Sequence, residues 1–342
     1  MKNNKKILIT GGLGFIGTNL IDLLLSKTDY EILNIDKNTY ASNQKYRNNI
    51  KSKKYNFKKL DICDFKKINL TISRFMPDKI IHLAAETHVD RSIKNSKNFF
   101  NSNILGTYNL LNASKNYFDK LSTSRKNKFI FFYISTDEVY GDLSKSKFAS
   151  LENDVLNPSS PYSASKASSE LLLKAWNRTY NLPYLISRTT NNFGPYQNKE
   201  KLIPNIINLL LNNKSVNIYG NGKQIRDWIF VKDNVEAILL ILEKGNKNQT
   251  YNISAGNLIN NLNLVKTVYN KLKIKIHKNK NKIVLKKKYI KFVKDRAGHD
   301  VKYNVNSIKL KKELQWKTNT NFSKALDLTI EWYLDNYINY IK

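Results

Sequence analysis

Residues 6–17 read KILITGGLGFIG, a short apolar run that enters four glycines within seven residues. The apolar run predicts a strand over 6–10, and the helical spacing of the apolar residues that follow predicts a helix over 15–26. Glycines between a strand and a helix let backbone N–H groups approach a pyrophosphate at the helix N-terminus. Asp36 ends a second predicted strand (31–36), 19 residues after Gly17, and is placed to bind a ribose 2′-hydroxyl. The stretch therefore favours NAD over NADP, against the alternative of a turn that only packs a helix.

The remaining chain continues this alternation of short apolar strands and helices. Further strands are predicted over 55–60, 79–83, 129–135 and 184–189, and a long helix over 161–180. Such alternation is typical of a parallel sheet with helices on both faces. The predicted fold class is therefore α/β, with a doubly wound parallel sheet of the Rossmann type.

The pattern becomes less regular after about residue 190, which predicts a smaller C-terminal lobe. We expect a NAD-binding domain over 1–190, to which later segments near 220–245 return, and a mainly substrate-binding lobe over 191–342. Within that lobe, residues 266–294 hold twelve lysines and no acidic residue. Apolar residues still alternate at Leu272, Ile274 and Ile276, so ordered structure is expected there.

Composition excludes several classes of protein. The chain has 342 residues, of which 41% are apolar, and one cysteine, so neither an internal disulfide nor a zinc site built from cysteines is expected. The four histidines lack metal-ligand spacing, so no metal is predicted. No apolar run reaches the ~18 residues of a membrane helix. The net charge of +31 leaves a nucleic-acid-binding protein open, but the charge is spread without any nucleic-acid-binding motif, so no such partner is predicted.

Two sets of residues are candidates for catalysis. Tyr162 and Lys166 form a YxxxK pair that shares one helix face, where the lysine charge should lower the tyrosine pKa toward neutrality and make it a base for a sugar hydroxyl. Thr136, Asp137 and Glu138 follow the apolar strand 129–135, and ligands bind at the carboxyl ends of strands in open α/β sheets. Two adjacent acids in an apolar setting are costly unless they are used.

Eight segments together resemble the extended short-chain dehydrogenases/reductases, and within them the dTDP-glucose 4,6-dehydratase family. They occur in family order over nearly the whole chain. The segments are GGLGFIG (11–17), LAAETHVDRSI (83–93), STDEVYG (135–141), PSSPYSASKASSE (158–170), RTTNNFGPY (188–196), EKLIP (200–204), YGNGKQIRDWIFVKD (219–233) and DRAGHDVKY (295–303).

The resemblance implies a cytoplasmic, homodimeric hydro-lyase that uses NAD. It would oxidise C4 of dTDP-glucose, eliminate water across C5 and C6, and return the hydride to C6 to give dTDP-4-keto-6-deoxyglucose. By resemblance, Tyr162 is the base on the 4-hydroxyl, Thr136 hydrogen-bonds that oxygen, and Lys166 tunes Tyr162 and holds the ribose. Glu138 would take the C5 proton and Asp137 would protonate the departing hydroxyl.

Further positions follow by matching motifs. Those implied for the cofactor, besides Tyr162 and Lys166, are Gly11, Gly14, Phe15, Ile16, Gly17, Asp36, Lys37, Asn38, Thr39, Asp61, Ile62, Leu83, Ala84, Ala85, Glu86, Ser102 and Asn192. Those implied for dTDP-glucose are Thr87, Thr136, Asn191, Lys201, Leu202, Tyr219, Arg226, Asn261, Arg296 and His299.

Several points stay open at this stage. A planar guanidinium matches phosphate oxygens, so Arg226 and Arg296 are expected at the diphosphate, although Arg226 could instead form a surface ion pair with Asp227. His82 and His88 are interpreted as structural. A nucleotide-sugar 4-epimerase or decarboxylase shares the glycine turn and YxxxK but not the Asp-Glu pair, and the choice of dTDP over UDP or CDP depends on the resemblance.

Overall fold

The structure is a computed structural model that describes residues 5–278 and 284–336. Its strands are β1 (Lys6–Thr10), β2 (Glu31–Asp36), β3 (Tyr55–Lys59), β4 (Lys79–His82), β5 (Ile130–Thr136), β6 (Tyr184–Thr189), β7 (Asn191–Phe193), β8 (Val216–Tyr219), β9 (Ile225–Phe230), β10 (Gln249–Ile253), β11 (Leu258–Asn260) and β12 (Ile290–Val293). Its helices are α1 (Phe15–Lys27), α2 (Gln44–Asn49), α3 (Phe65–Phe75), α4 (Val89–Lys94), α5 (Lys97–Phe99), α6 (Gly106–Asp119), α7 (Thr123–Lys126), α8 (Pro161–Tyr180), α9 (Leu202–Leu211), α10 (Val231–Lys244), α11 (Asn261–Lys278), α12 (Ile308–Leu314) and α13 (Phe322–Asp335). A π-helical segment (Phe100–Leu105) joins α5 to α6, and a 3₁₀ turn (Asp137–Tyr140) follows β5.

Seven strands form one parallel sheet in the order β10-β6-β5-β4-β1-β2-β3. The chain winds outward from β1 to β3 in one direction and from β4 to β6 in the other, so the order reverses between β1 and β4. Ligands of open α/β sheets bind in the crevice at such a reversal, beyond the carboxyl ends of the strands. The predicted doubly wound α/β fold is confirmed.

Helices cover both faces of this sheet. Since successive side chains of a strand point to opposite faces, each strand contributes to the core on both sides. In β1, Ile7 and Ile9 lie in one buried cluster with residues of α1 and α10, whereas Leu8 lies in a second with residues of α3 and α6. All seven residues of β5 are buried, as its apolar sequence predicts for a central strand. The polar residues of β5, Ser135 and Thr136, stand at its carboxyl end.

The later part of the chain contributes to both lobes. β10 pairs with β6 and extends the main sheet, and α10 packs on α1. A three-stranded sheet (β11-β9-β7) and a two-stranded sheet (β12-β8) belong to the smaller lobe. The segment that returns to the main sheet thus comprises α10 and β10 and ends at Ile253.

The lysine-rich stretch 266–294 is ordered where it is described, and residues 279–283 lie outside the described residues. Its first part belongs to α11. Leu272 and Ile276, four residues apart, are buried, whereas Ile274 between them is exposed. The apolar spacing that matters here is therefore that of a helix and not the alternation seen in the sequence. No helix within 5–278 and 284–336 has the length and hydropathy needed to span a bilayer.

Candidate active site

A cleft opens beyond the carboxyl ends of the central strands, where the strand order reverses. The predicted site residues that line it are Gly11, Gly14, Phe15, Ile16, Gly17, Asp36, Lys37, Thr39, Asp61, Ile62, Leu83, Ala84, Ala85, Glu86, Thr87, Ser102, Thr136, Asp137, Glu138, Tyr162, Lys166, Asn191, Asn192 and Lys201. Seven other predicted residues do not line it: Asn38, Leu202, Tyr219, Arg226, Asn261, Arg296 and His299.

The glycine turn between β1 and α1 allows a close backbone approach. Gly11 has φ +73°, and a Cβ there would lie 2.6 Å from backbone atoms of Ala84 at the end of β4. A Cβ on Gly17 would lie 2.5 Å from the carbonyl oxygen of Gly11. Side chains are thus excluded on the inner side of the turn, which leaves the N-terminus of α1 open to the cleft as an anion site.

Asp36 at the end of β2 is held by the loop that follows it. Its carboxylate accepts hydrogen bonds from the backbone N–H of Leu13 (3.1 Å) and of Asn38 (2.8 Å), and from Ser42 Oγ (3.2 Å). Asn38, whose φ is +62°, therefore holds the Asp36 carboxylate through its backbone N–H and does not itself line the cleft. Burial raises the pKa of Asp36, which these hydrogen bonds partly oppose.

The candidate acid–base pair lies in the 3₁₀ turn after β5. The Thr136 hydroxyl caps this turn by accepting from the backbone N–H of Glu138 (3.3 Å), and it donates to Asp137 Oδ1 (3.2 Å). Asp137 Oδ2 and Glu138 Oε2 are buried without a hydrogen-bond partner among the residues described. Two adjacent carboxyl groups in the cleft wall thus keep oxygens free for a ligand.

The surroundings of these two carboxyl groups differ. Burial, together with the negative charges of Glu138 and Asp227, raises the pKa of Asp137 well above its ordinary value. Burial also raises the pKa of Glu138, but the cations of Arg226, Arg296 and Lys201 oppose the rise. Where the environments of two neighbouring carboxyl groups shift their pKa values apart, the group with the higher pKa acts as the acid and the other as the base. Asp137 is therefore the candidate acid and Glu138 the candidate base.

Tyr162 and Lys166 project from the first turns of α8, as the sequence predicts. Ser160 and Ser163 form a capping box that fixes the start of this helix. Lys166 Nζ donates to the carbonyl oxygen of Ile134 (2.7 Å) and lies 4.2 Å from the ring centre of Tyr133. Both site side chains are buried.

The predicted lowering of the Tyr162 pKa is wrong for this arrangement. Burial, with the charges of Glu138 and Asp137 beside it, raises the pKa of Tyr162 well above its usual value, and a hydrogen bond with Thr136 opposes the rise in part. Burial instead lowers the pKa of Lys166 to about 7. The physical reason is that desolvation acts on both groups and disfavours the charged form of each.

The buried lysine leads to a prediction on stability. Between pH 7 and 10.5 the unfolded chain still holds the Lys166 proton that the folded chain has released, so the free energy of unfolding should rise with pH. Relative to Lys166→Met, wild-type stability should increase by up to about 1.4 kcal/mol per pH unit. Urea unfolding of both proteins between about pH 6 and pH 9 measures this difference, and parallel pH profiles would contradict it.

Comparison with known proteins shows the family to which this chain belongs. The family profile described as GDP-mannose 4,6 dehydratase matches residues 8–329. A dTDP-glucose 4,6-dehydratase of Haemophilus influenzae is 46% identical over 331 residues, which cover 96% of this chain and 98% of the relative. The chain belongs to the dTDP-glucose 4,6-dehydratase family. The resemblance predicted from the sequence motifs is thereby confirmed.

Solved structures agree with membership of the dTDP-glucose 4,6-dehydratase family. The dTDP-glucose 4,6-dehydratase of Streptomyces venezuelae, solved with NAD bound, superposes with a TM-score of 0.86 at 32% identity and 97% coverage of both chains. The UDP-glucose 4-epimerase of Thermotoga maritima, solved with UDP-glucose, follows with a TM-score of 0.81 at 27% identity, covering 97% of this chain and 99% of the other. The fold is thus shared by dehydratases and epimerases, and the residues of the cleft must distinguish them.

Arg226, one of the two arginines expected at the diphosphate, is buried and does not line the cleft. Arg226 donates to the carbonyl oxygens of Ile225 and Asp300 (2.8 Å each) and stacks on Tyr303, with 4.2 Å from its guanidinium carbon to the ring centre. Asp227 points elsewhere and accepts four hydrogen bonds from residues 254–257. The alternative of a surface ion pair between Arg226 and Asp227 is therefore wrong, because each side chain is engaged by a different loop.

Other predicted substrate residues of this family member form a polar group beside the cleft. Arg296 makes an ion pair with Asp90 of α4 (3.0 Å), whose other oxygen accepts from the Tyr219 hydroxyl (3.1 Å). His299 contacts Asp295 at 2.6 Å. The contacts of Arg296 and Tyr219 with Asp90 join the small lobe to α4. Asn261 Oδ1 at the start of α11 is buried without a partner among the described residues, and Leu202 begins α9.

Sequence reasoning missed a group of side chains that spans the cleft. Tyr40 donates to Glu200 Oε1 (2.9 Å), and Arg91 pairs with Glu200 Oε2 (2.8 Å) while lying 4.2 Å from the ring centre of Tyr40. Glu200 belongs to the matched EKLIP segment, which was a usable signal, whereas nothing marked Tyr40. The other lining residues not predicted are Ile35, Ala41, Ser42, Leu60, Ile134, Ser135, Thr189, Thr190, Gln197 and Asn198.

The histidines show no sign of metal binding. The two ring nitrogens of His82 contact the hydroxyls of Thr10 (2.7 Å) and Thr107 (2.9 Å), and burial lowers its pKa to about 3. His88 Nδ1 is buried and has no hydrogen-bond partner in the described part of the chain. Within the described ranges 5–278 and 284–336, no group of three His, Cys, Asp or Glu side chains is arranged to hold a metal ion.

Proposed function

We propose that this protein is an NAD-dependent dTDP-glucose 4,6-dehydratase, which converts dTDP-glucose to dTDP-4-keto-6-deoxyglucose. The observation that carries the proposal is the pair of adjacent buried carboxyl groups, Asp137 and Glu138, which keep oxygens without a hydrogen-bond partner among the described residues and line the cleft beside Tyr162. Elimination of water needs an acid and a base side by side, whereas epimerisation at C4 does not.

The cleft fits the proposed cofactor. The turn at Gly11 and Gly17 excludes side chains where a pyrophosphate would approach the N-terminus of α1, and Asp36 is placed for an adenosine ribose. Lys166 would hold the second ribose. The chemistry that NAD supplies is reversible acceptance of a hydride.

The side chains of the cleft supply the proton transfers. Tyr162, in contact with Thr136, is the group placed to take the proton of the sugar 4-hydroxyl as C4 is oxidised. This role needs the phenolate form of Tyr162, whose pKa burial raises and the positive charge of bound NAD would lower. The resulting ketone acidifies the C5–H bond, so Glu138 can remove that proton. Asp137, whose pKa burial raises, protonates the 6-hydroxyl, which leaves as water. Glu138 then returns its proton to C5, and bound NAD would supply the hydride for C6.

Product analysis tests this function. The purified protein is incubated separately with dTDP-, UDP- and CDP-glucose, and the nucleotide sugars are identified by mass spectrometry and NMR. We expect a 4-keto-6-deoxy sugar lighter by one water, formed fastest from dTDP-glucose. Recovery of dTDP-galactose alone would contradict the proposal in favour of an epimerase.

The role of Asp36 gives a prediction on cofactor choice. Asp36→Asn removes the negative charge that favours a ribose 2′-hydroxyl and repels a 2′-phosphate. We expect affinity for NAD to fall roughly 10-fold and affinity for NADP to rise, since hydrogen bonds to charged groups contribute about 1.5–3 kcal/mol. Titration calorimetry with both cofactors measures the change. Asp29→Asn, at an exposed ion pair with Lys54, is the control, and an unchanged ratio in Asp36→Asn would argue against the role.

We infer that the enzyme is a homodimer in the cytoplasm. Four large apolar side chains are exposed on or beside two helices that pack on each other, α6 and α8: Phe100, Leu105, Tyr108 and Leu171. A second copy of this chain is the occupant that the family resemblance implies. Light scattering of the wild type should give a dimer and that of Leu171→Glu a monomer. A monomeric wild type at micromolar concentration would overturn this.

We also propose that nucleic acid is not a partner of this protein. The net charge of +31 is distributed along the chain and is not gathered with a nucleic-acid-binding motif. Binding to duplex and single-stranded DNA should therefore be weak at physiological salt. Tight binding with a steep salt dependence would contradict this proposal.

A further inference from the structure

A buried polar cluster whose central residues do not line the cleft lies between β6 and α8. At its centre, Arg188 is wholly buried, as is Glu170. The guanidinium holds the Glu170 carboxylate with two nitrogens, Nε at 3.2 and 3.1 Å from the two oxygens and Nη2 at 2.7 Å from Oε2. Glu170 stands one helical turn beyond Lys166 on α8, so this contact fixes the catalytic helix to the sheet.

The remaining nitrogen of Arg188 points toward the turn that carries the acid–base pair. Nη1 donates to the hydroxyl oxygen of Tyr140 (2.6 Å) and to the carbonyl oxygen of Glu152 (3.0 Å). The Tyr140 hydroxyl in turn donates to Asn252 Oδ1 of β10 (2.8 Å), and the guanidinium carbon lies 4.7 Å from the Tyr140 ring centre. Both bonding positions of this buried hydroxyl are thus occupied by fixed partners.

Tyr140 is the last residue of the 3₁₀ turn and stands two residues after Glu138. The next residue, Gly141, has φ +77°, and a Cβ there would lie 1.9 Å from the carbonyl oxygen of Asn157. The turn therefore has little freedom at its C-terminal end. Its other end is held by the cap from Thr136.

We propose that Tyr140 is a positioning residue for water elimination. Its hydroxyl, held by Arg188 and Asn252, fixes the turn that carries Glu138 relative to α8, which carries Tyr162. Both catalytic elements meet at the same guanidinium, so their separation is set by hydrogen bonds and not by packing alone. This inference rests on the proposed function, in which the same sugar must be reached first by Tyr162 and then by Glu138.

The chemistry makes this placement matter. The base and the acid act on neighbouring carbons of one sugar ring, and small misplacements of reacting groups lower rates steeply. Tyr140→Phe keeps the ring and its stacking on Arg188, keeps the Arg188–Glu170 ion pair, and removes only the hydroxyl. The variant therefore loosens the link between turn and helix while leaving the core filled.

A matched control exists in the same chain. Tyr117 is a buried tyrosine whose hydroxyl accepts from Arg125 Nη2 (2.8 Å) and donates to the carbonyl oxygen of Pro77 (3.0 Å), remote from the cleft. Tyr117→Phe thus removes a buried hydroxyl that likewise bonds to an arginine and to a second acceptor, although Arg125 is more exposed than Arg188. Any effect of lost stability alone should be seen in both variants.

The experiment compares wild type, Tyr140→Phe and Tyr117→Phe with bound NAD and dTDP-glucose. For Tyr140→Phe we expect kcat to fall roughly 10- to 100-fold at unchanged KM. Stopped-flow absorbance of the reduced cofactor should show accumulation, because oxidation at C4 by way of Tyr162 continues while elimination is slowed. Urea unfolding of the cofactor-free proteins should show similar destabilisation of the two variants.

The outcomes separate the two proposals. If the wild type forms no 4-keto-6-deoxy sugar, the proposed function fails and the inference with it. If the wild type turns over and Tyr140→Phe matches Tyr117→Phe in kcat and in reduced cofactor, the positioning role alone is overturned. Equal slowing of both variants would likewise assign the effect to stability.

Discussion

Glu138→Gln should slow water elimination by about 10²- to 10⁴-fold, the usual contribution of a positioned general base. The amide keeps the size of the side chain and cannot accept the C5 proton. Asp137→Asn should have an effect of similar size, since the amide cannot donate an acidic proton to the leaving hydroxyl. In both variants the contacts of the glycine turn with Asp36 are untouched, so NAD affinity should be unchanged.

The measurement separates the steps of the reaction. With dTDP-glucose, both variants should oxidise C4 and accumulate reduced cofactor, whereas release of the 4-keto-6-deoxy product should almost cease. Glu236→Gln is the matched control, because this carboxylate forms an exposed pair with Lys27 (3.1 Å) away from the cleft. A wild-type rate of product formation in Glu138→Gln would count against the assignment of the base.

Glu170→Gln should lower the free energy of unfolding by about 3–5 kcal/mol, the cost of leaving a buried charge without its partner. Arg188 is at most 1% exposed, so its charge would stay buried once the carboxylate charge is gone. The gain from pairing depends on both members, so a double substitution of Arg188 and Glu170 by apolar residues should cost less than the two single changes added together.

Urea unfolding monitored by tryptophan fluorescence measures this effect. Glu236→Gln again serves as control, because exposed ion pairs contribute only about 0–1 kcal/mol. The difference in the free energy of unfolding between the two Glu→Gln variants therefore measures the effect of burying the ion pair. Equal stability of Glu170→Gln and Glu236→Gln would refute the prediction.

The fold could be predicted because its signals are local. β1, the glycine turn and α1 are specified by adjacent residues, and the predicted bounds of β2, β6 and α8 agree with the structure. The acid–base pair was also visible, since Asp137 and Glu138 are contiguous with Thr136 and follow a strong apolar strand. Such features depend on spacing within one element, which a sequence displays directly.

The remaining features depend on residues distant in sequence. The contact of Tyr40 with Glu200 joins two loops 160 residues apart, and the bond of Arg188 to Tyr140 joins residues 48 apart. The pKa of Tyr162 was predicted in the wrong direction, because a single lysine was visible in the motif whereas burial was not. Arg226 was weighed against its sequence neighbour Asp227, although its long-range partners, the carbonyl oxygen of Asp300 and the ring of Tyr303, come from a loop near residue 300.

The edge strand β10 has a consequence for recombining such enzymes. Because α10 and β10 return to the main sheet after β9 has entered the smaller lobe, no single cut of the chain separates the two lobes. A truncation near residue 190 would remove β10, and the backbone edge of β6 that pairs with β10 would then be exposed. A chimera that exchanges substrate lobes between relatives therefore needs three crossovers, near residues 190, 230 and 254, so that the segment from Val231 to Ile253 stays with its own sheet.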